Sequence, residues 1–259
     1  MAFLLFWFVY PYLWMLCSTS KANQEIYDPT KLFPDAFSFE SFRVLYTGQY
    51  VPFFKFFTSS VIIAVGQSFG AVYITALSGY YIARKRFRGR ALIFLISVAV
   101  IVLPRQVISI PIFQWLEYLS LRGGYLAVIL PGMVSGLGLL FFVQIFKKIP
   151  SEYIDASRVE GATEIRTFMT VCSMVVPALL TYGILHFVLA WHEHLLPLLL
   201  LDDEKRTLPL ALTMLNDPSH RVPQSVVMAA SMFTLLPVLV LFGLMFRQFK
   251  SAMSDVLVH

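Results

Sequence analysis

Charge is what this sequence has least of. Asp, Glu, Lys and Arg make up 14% of 259 residues, against 58% apolar residues and a mean hydropathy of +0.73. A water-soluble domain of this size must keep its surface wettable, and too few polar side chains are present to do so; the excess apolar surface needs lipid as its solvent. Cysteine is nearly absent. Cys17 and Cys172 fall on opposite faces of the bilayer in the topology derived below, which excludes a disulfide framework and leaves no redox motif. There is no G-x-x-x-x-G-K-[ST] run, nucleophile elbow or dinucleotide fingerprint, so any ATP and magnesium must be handled by another polypeptide and this chain is expected to bind no cofactor. A membrane-embedded enzyme would need a clustered acid, base, nucleophile or metal set, and the sequence has none. The net charge of +5 forms no basic stripe with interleaved aromatics, so no nucleic acid partner is expected. The opening apolar stretch, residues 1–16, lacks a positive n-region and a small-x-small cleavage site. It reads as a first membrane helix, either extended by residues 17–20 or begun upstream, rather than as a signal peptide.

What is present is long apolar runs. A helix needs roughly twenty mostly apolar residues to cross about 30 Å of hydrocarbon. Six runs meet that rule, at about 2–19, 56–83, 92–113, 125–146, 171–195 and 226–246. They are continuous and show no period-two alternation, which predicts an all-α integral membrane protein with a single transmembrane domain over residues 1–259. Pro104, Pro111, Pro131, Pro177 and Pro237 interrupt the runs and are expected to kink them rather than end them. Glycines recur at Gly66, Gly70 and Gly79 and at Gly132, Gly136 and Gly138, where close approach of helices is the expected role.

Loop charge orients the spans. Residues 84–90, 147–170 and the tail after 246 hold about eleven of the twenty Lys and Arg residues, so these segments and both termini are expected on the cytoplasmic side. Segments 20–55, 117–124 and 197–224 then lie outside, with 28–39 reading as an extended loop around Pro29 and Pro34.

The polar segment between the fourth and fifth runs is too patterned for a plain connector. Ser151 is the expected N-cap of a short helix, with Glu152 in its first turn. At one hundred degrees per residue Tyr153, Ala156, Ser157 and Glu160 share a face, and Asp155 and Arg158 form an i,i+3 pair on the other. Gly161 permits a turn and residues 162–169 can start a second helix, giving a hairpin that projects into the cytosol. Periodicity alone leaves open a solvated connector.

The run E-Y-I-D-A-S-R-V-E-G-A-T (residues 152–163) resembles the EAA loop of binding-protein-dependent ABC importer permeases, with Asp155, Ala156 and Ser157 as the triplet and Gly161 at the family's spacing. The chain is similar to the carbohydrate branch of that family, maltose-type and glycerol-phosphate-type, through S-G-Y-Y-I-A-R-K-R-F-R-G-R (78–90), V-L-P-R-Q-V-I-S-I-P (102–111), W-H-E-H-L-L-P-L (191–198) and R-T-L-P-L-A-L (206–212). The resemblance implies a permease subunit of the bacterial or archaeal cytoplasmic membrane, coupled to ATP hydrolysis elsewhere. Its implied partners are a second homologous permease, two cytosolic ABC ATPases, an extracytoplasmic solute-binding protein and membrane lipid. It also implies that Glu152, Asp155, Ala156, Ser157, Gly161 and Ala162 form a coupling helix seated on an ATPase. Two features depart from the family pattern: Ser173 and Met174 stand where a leucine-proline pair is usual, and the tail S-A-M-S-D-V-L-V-H is not glycine-rich.

The alternative is a self-contained secondary transporter or channel, which tends to carry ionisable residues in several spans, whereas charge here is concentrated in loops. His192, Glu193 and His194 do not form a zinc motif, since the order is not H-E-x-x-H and alternate residues on a helix diverge. Trp191, His192 and Tyr182 are candidate cavity-lining residues, with packing the competing role for the two aromatics. Arg105 could snorkel to the interface or meet a solute, and the sequence leaves the choice open.

Overall fold

The computed structural model describes residues 2–28 and 30–257, with side chains for 6–28 and 30–245; Pro29, the side chains of the C-terminal tail and its last two residues lie outside it. In chain order the α-helices are α1 (Ala2–Ser18), α2 (Glu40–Thr47), α3 (Phe53–Arg84), α4 (Arg90–Val102), α5 (Arg105–Tyr118), α6 (Tyr125–Met133), α7 (Gly136–Lys147), α8 (Ser151–Val159), α9 (Glu164–Met174), α10 (Val176–Trp191), α11 (Leu195–Leu200), α12 (Leu208–Leu215) and α13 (Gln224–Leu257). Among the described residues there is no strand, only an isolated bridge where the Gly123 amide donates to the Leu200 carbonyl at 2.8 Å.

Helices form where the sequence is apolar, as expected, but not always as single spans. Two are by themselves long and apolar enough to cross a membrane, α3 and the Gln224–Met245 part of α13. Three of the predicted runs are instead bent pairs: α4 with α5 at 111°, α6 with α7 at 42°, and α9 with α10 at 82°. α1 has 17 residues, about 25 Å of rise.

The prolines account for part of this. Pro104 ends a helix rather than kinking it, because the residue before a proline is driven out of the α region; Leu103 sits at φ −72° and ψ 126°. Pro111, Pro131 and Pro237 lie inside α5, α6 and α13, and Pro177 occupies the first turn of α10, where its missing N–H costs nothing. Two predicted outer loops also contain helix. α2 occupies part of 20–55, and α12 buries Leu208, Leu210, Ala211 and Leu215 within 197–224.

The chain divides into two compact units, residues 1–60 with 202–259 and residues 61–201. In the first, α1, α2 and α12 lie along α13. Phe42, Phe53 and Phe54 surround Phe233 with ring centroids 5.6–6.0 Å away, and the Leu208 amide donates to Ser60 Oγ at 2.8 Å. Among the described residues the second unit has three buried clusters, the smallest joining Ile82, Leu139 and Val143; the two larger ones position the site. One joins Ala71, Tyr80, Phe142, Phe146, Ile154 and Tyr182; the other joins Ile63, Leu116, Ala127, Val128, Leu196 and Leu200.

Small residues let these helices approach. A Cβ on Gly79 would lie 2.7 Å from Phe142 Cβ and 3.1 Å from the Val143 amide nitrogen, so α7 backbone would have to move. Gly243 in α13 meets nothing within 4 Å. Gly79→Val should therefore destabilise the chain by about 1–3 kcal/mol, read as a lower melting temperature in detergent, while Gly243→Val leaves the melting temperature close to wild type.

Candidate functional site

The hairpin of residues 147–170 is built from local signals. Pro150 takes the N-cap position with extended backbone and Ser151 is the first helical residue, so the expected Ser151 cap moves one residue upstream without a side-chain bond. α8 closes with a Schellman turn: the Gly161 amide donates to Arg158 O at 2.9 Å and the Ala162 amide to Ser157 O at 3.1 Å. Gly161 sits at φ +78°, a backbone that residues with a Cβ adopt at a cost. Thr163 then caps α9, its Oγ1 accepting from the Arg166 amide at 3.4 Å.

The two helices fold onto each other through one polar contact and one apolar side chain. Ser157 Oγ and Thr167 Oγ1 are 3.2 Å apart, both buried, and Ile154 one turn earlier joins Tyr80, Phe146, Ile149 and Val171. Ser157 therefore separates from the face predicted for it: α9 covers Ile154 and Ser157, while Glu152, Tyr153, Asp155, Ala156, Glu160 and Gly161 stay exposed and Ala162 is half-buried. A helical wheel orders residues around an axis but does not say which sector a neighbour covers. Val159 is 89% exposed, the apolar tip of an otherwise polar surface.

Charge fixes the hairpin to the end of α3. The Arg84 guanidinium donates to the carbonyls of Phe146, at 2.5 Å, and Ile149. Lys85 Nζ donates to Glu164 Oε1 at 2.5 Å, and Arg158 bridges Glu164 at 3.7 Å and Asp155 at 3.4 Å. The hydrogen bond from Lys85 holds the Glu164 carboxyl below the usual glutamate value of 4.5.

The breaks in the bent pairs form a second polar feature. Arg105, first residue after the Pro104 break, places Nη1 2.8 Å from Glu193 Oε2, while Glu193 Oε1 accepts from the Leu195 amide at 3.0 Å and so caps α11. A cavity of about 350 Å³ opens beside them, lined also by Gln106, His192 and His194. A second, of about 200 Å³, touches Leu103, Arg105, Val134, Ser135 and Leu196, so the α4–α5, α6–α7 and α10–α11 breaks converge. Backbone groups freed at the α6–α7 break are collected by side chains, His186 Nε2 donating to Gly132 O at 3.0 Å and Ser135 Oγ accepting from the Gly138 amide at 3.2 Å, and Gln67 Nε2 donates to Val128 O inside α6 at 2.9 Å.

Of the predicted cavity residues, His192 lines the cavity, but Tyr182 and Trp191 do not. Tyr182 is wedged between Phe141 and Phe142, with centroids 5.7 and 5.2 Å away, and Trp191 stacks on Phe187 at 5.5 Å. Each is only 1% exposed, so packing inside the unit leaves neither ring a free face for a solute. The Arg105–Glu193 pair was not legible as a pair, being 88 residues apart; its only sequence signal was ionisable groups beside interruptions in apolar runs.

Comparison with known proteins places these features. The profile of the family described as "Binding-protein-dependent transport system inner membrane component" matches residues 71–254, which contain the hairpin and all three bent pairs. The arabinooligosaccharides transport system permease protein AraQ of Bacillus subtilis (strain 168) is 29% identical over 223 residues, 85% of this chain and 79% of its own length. The sulfoquinovosyl glycerol transport system permease protein SmoH of Agrobacterium fabrum is 30% identical over 238 residues, 90% of this chain and 82% of its own. A chain in the crystal structure of a bacterial ABC transporter involved in the import of the acidic polysaccharide alginate superposes with TM-score 0.82, covering 96% of this chain and 93% of that one at 17% identity, which shows a shared fold.

A carboxylate whose pKa is depressed by its partner contributes stability at higher pH and loses it as pH falls through the lowered value. The Lys85–Glu164 clamp should thus hold from neutral pH down to about 4.5 and open only below it. The protection factors of α8 and α9 amides, relative to the intrinsic exchange rate at each pH, should be flat over the upper range and fall below it, and Glu164→Gln should show the lowered protection already at neutral pH.

Proposed function

Since this chain belongs to the binding-protein-dependent transport system inner membrane component family and is a permease subunit of an ABC importer, we propose that it forms half of the translocation pathway for a sugar or sugar-like solute and is driven through the α8–α9 hairpin by a cytosolic ATPase. The solute class follows relatives whose descriptions name arabinooligosaccharides and sulfoquinovosyl glycerol. The complete importer pairs this chain with a second homologous permease, two ATPases that carry ATP and magnesium, and an extracytoplasmic solute-binding protein. Six spans, α1, α3, the three bent pairs and α13, put both termini and the hairpin in the cytoplasm, in keeping with the Lys and Arg content of those segments.

The observation that carries this reading is the fixed hairpin. Its outer surface offers Glu152, Asp155, Ala156 and Gly161 to a partner, with Tyr153 and Val159 as exposed apolar contacts, while its inner surface is tied by Ser157–Thr167, Arg84 and Lys85–Glu164 to α9 and α3. A push on such a tip moves α8 and α9 together, and α10 follows across the bend at Val175. The work of ATP hydrolysis then reaches the helix breaks around Arg105 and Glu193, where discontinuous helices leave polar groups and open space at membrane depth.

The Arg105–Glu193 pair is also what an ion-coupled, self-contained transporter would use, and this is the second reading. Against it, the two groups neutralise each other at 2.8 Å.

Gly161→Asp discriminates. Because a Cβ at this position meets nothing within 4 Å, the substitution creates no clash inside the chain and costs only the left-handed backbone of a non-glycine residue, about 1 kcal/mol for aspartate. The variant should fold and reach the membrane, lose co-purification with the ATPase by at least about tenfold, a loss of about 1.4 kcal/mol in binding, and abolish ATP-driven uptake into vesicles. Uptake that persists on an ion gradient alone would support the second reading, and wild-type co-purification with wild-type ATP-driven uptake would overturn the coupling role.

A further inference from the structure

Not every cation on the cytoplasmic side is engaged by the hairpin. Where α3 ends and α4 begins, a cavity of about 700 Å³ is lined by Arg86, Arg90 and Lys147, and no carboxylate lines it. Lys85 next to it is paired with Glu164; among the described residues Arg86, Arg90 and Lys147 have no acidic partner. Gly89, at φ +92°, precedes α4 without a side-chain cap, and Arg90, Ala91 and Leu92 of that helix's first turn line the same space. Three cations and a helix N-terminus around one cavity attract an anion strongly.

The remaining wall is apolar. Phe87, Leu92 and Phe94 line the cavity, with buried Ile82 and Val143 at its floor. A mainly apolar groove of about 620 Å³ runs along the α4–α7 pair and shares Phe94 with the basic cavity; Val98, Leu137, Leu140, Phe141 and Ile145 form it with Gln144, and Lys148 stands at its end. From Lys148 to Leu137 the groove follows eleven residues of α7, roughly 16 Å, which is the scale of an acyl chain. A free anion would use only the basic part, and an acidic protein surface would leave the groove empty; an amphiphile with an anionic head uses both.

We propose that this cavity binds an anionic phospholipid, with the phosphate among Arg86, Arg90, Lys147 and the first turn of α4 and an acyl chain in the groove along α4 and α7. The site borders the hairpin segment through Lys147 but uses no residue of α8 or α9, and it requires only that the chain lies in a membrane. The bound lipid neutralises charges that would otherwise repel one another where α3, α4 and α7 meet, and holds their ends together.

The test uses the full chain in nanodiscs of phosphatidylglycerol and phosphatidylcholine at one to three, with spin-labelled versions of each lipid and their immobilised fractions read by electron paramagnetic resonance. The wild-type chain should immobilise phosphatidylglycerol preferentially. Arg86→Gln with Lys147→Gln should reduce that preference about tenfold, while the charge-matched Arg88→Gln with Arg166→Gln, outside the cavity, should retain it within about twofold. A melting temperature unchanged in both variants separates lost binding from lost fold. Equal loss in both variants would reduce the effect to diffuse surface charge, and no preference in the wild type would remove the site. Release of the labelled lipid by millimolar inorganic phosphate would assign the cavity to a free anion. Loss of the preference when the permease and ATPase partners are added would assign it to a protein surface. Each of these four outcomes overturns the proposal.

Discussion

Backbone amides and carbonyls in hydrocarbon have no water to bind, and this obligation shapes the chain wherever a helix stops short. An unbroken helix meets the condition by itself. A break frees several groups at once, and at two of the breaks side chains take some of them up: Ser135 receives the Gly138 amide of α7, Glu193 the Leu195 amide of α11, and His186 serves the Gly132 carbonyl that the α6–α7 break leaves without its helical partner. The polar residues inside the apolar runs are thus first of all repairs to the backbone. Their clustering beside cavities follows, because repairs are needed where helices end, and ends leave space.

The sequence carries the helices and the hairpin well and their bends poorly. Long apolar runs without alternation can satisfy themselves only as helix, and Gly161 followed by a threonine cap marks a turn that local chemistry alone determines. Pro104 and Pro131 look alike in a run of apolar residues, yet the first ends a helix and the second sits within one. The difference lies in contacts far along the chain: beyond Pro131 the Gly132 carbonyl is received by His186, 54 residues away, while Arg105 after Pro104 meets Glu193, 88 residues away. Ser157 illustrates the same limit at shorter range. Its position on the wheel was readable, but not that Thr167 would lie opposite and take it out of the exposed surface. Helices α2 and α12 were hidden for a related reason: both are eight residues long, too short to span, and they are held by Phe42 and Leu208 meeting partners far along the chain.

The hairpin and the broken helices complement each other mechanically. In the coupling role proposed here, force at the tip would cross a region braced by a buried hydroxyl pair, two arginine-to-carbonyl bonds and a lysine–glutamate contact, with aromatic rings of Tyr80, Phe146 and Phe168 filling the space between. Nothing in that brace is easily compressed, since interiors are close-packed and respond by shifting as units. The bends at Val175 and Pro104 are where such a shift meets least resistance, because no continuous ladder of hydrogen bonds crosses them.

Val159 holds a branched hydrocarbon side chain in water at the far end of this brace, and covering it is worth about 1.5–3 kcal/mol. On the coupling role proposed above, a partner that seats on the tip would cover this side chain, and an orphan copy of the chain would differ from an assembled one by a hydrocarbon surface left in water.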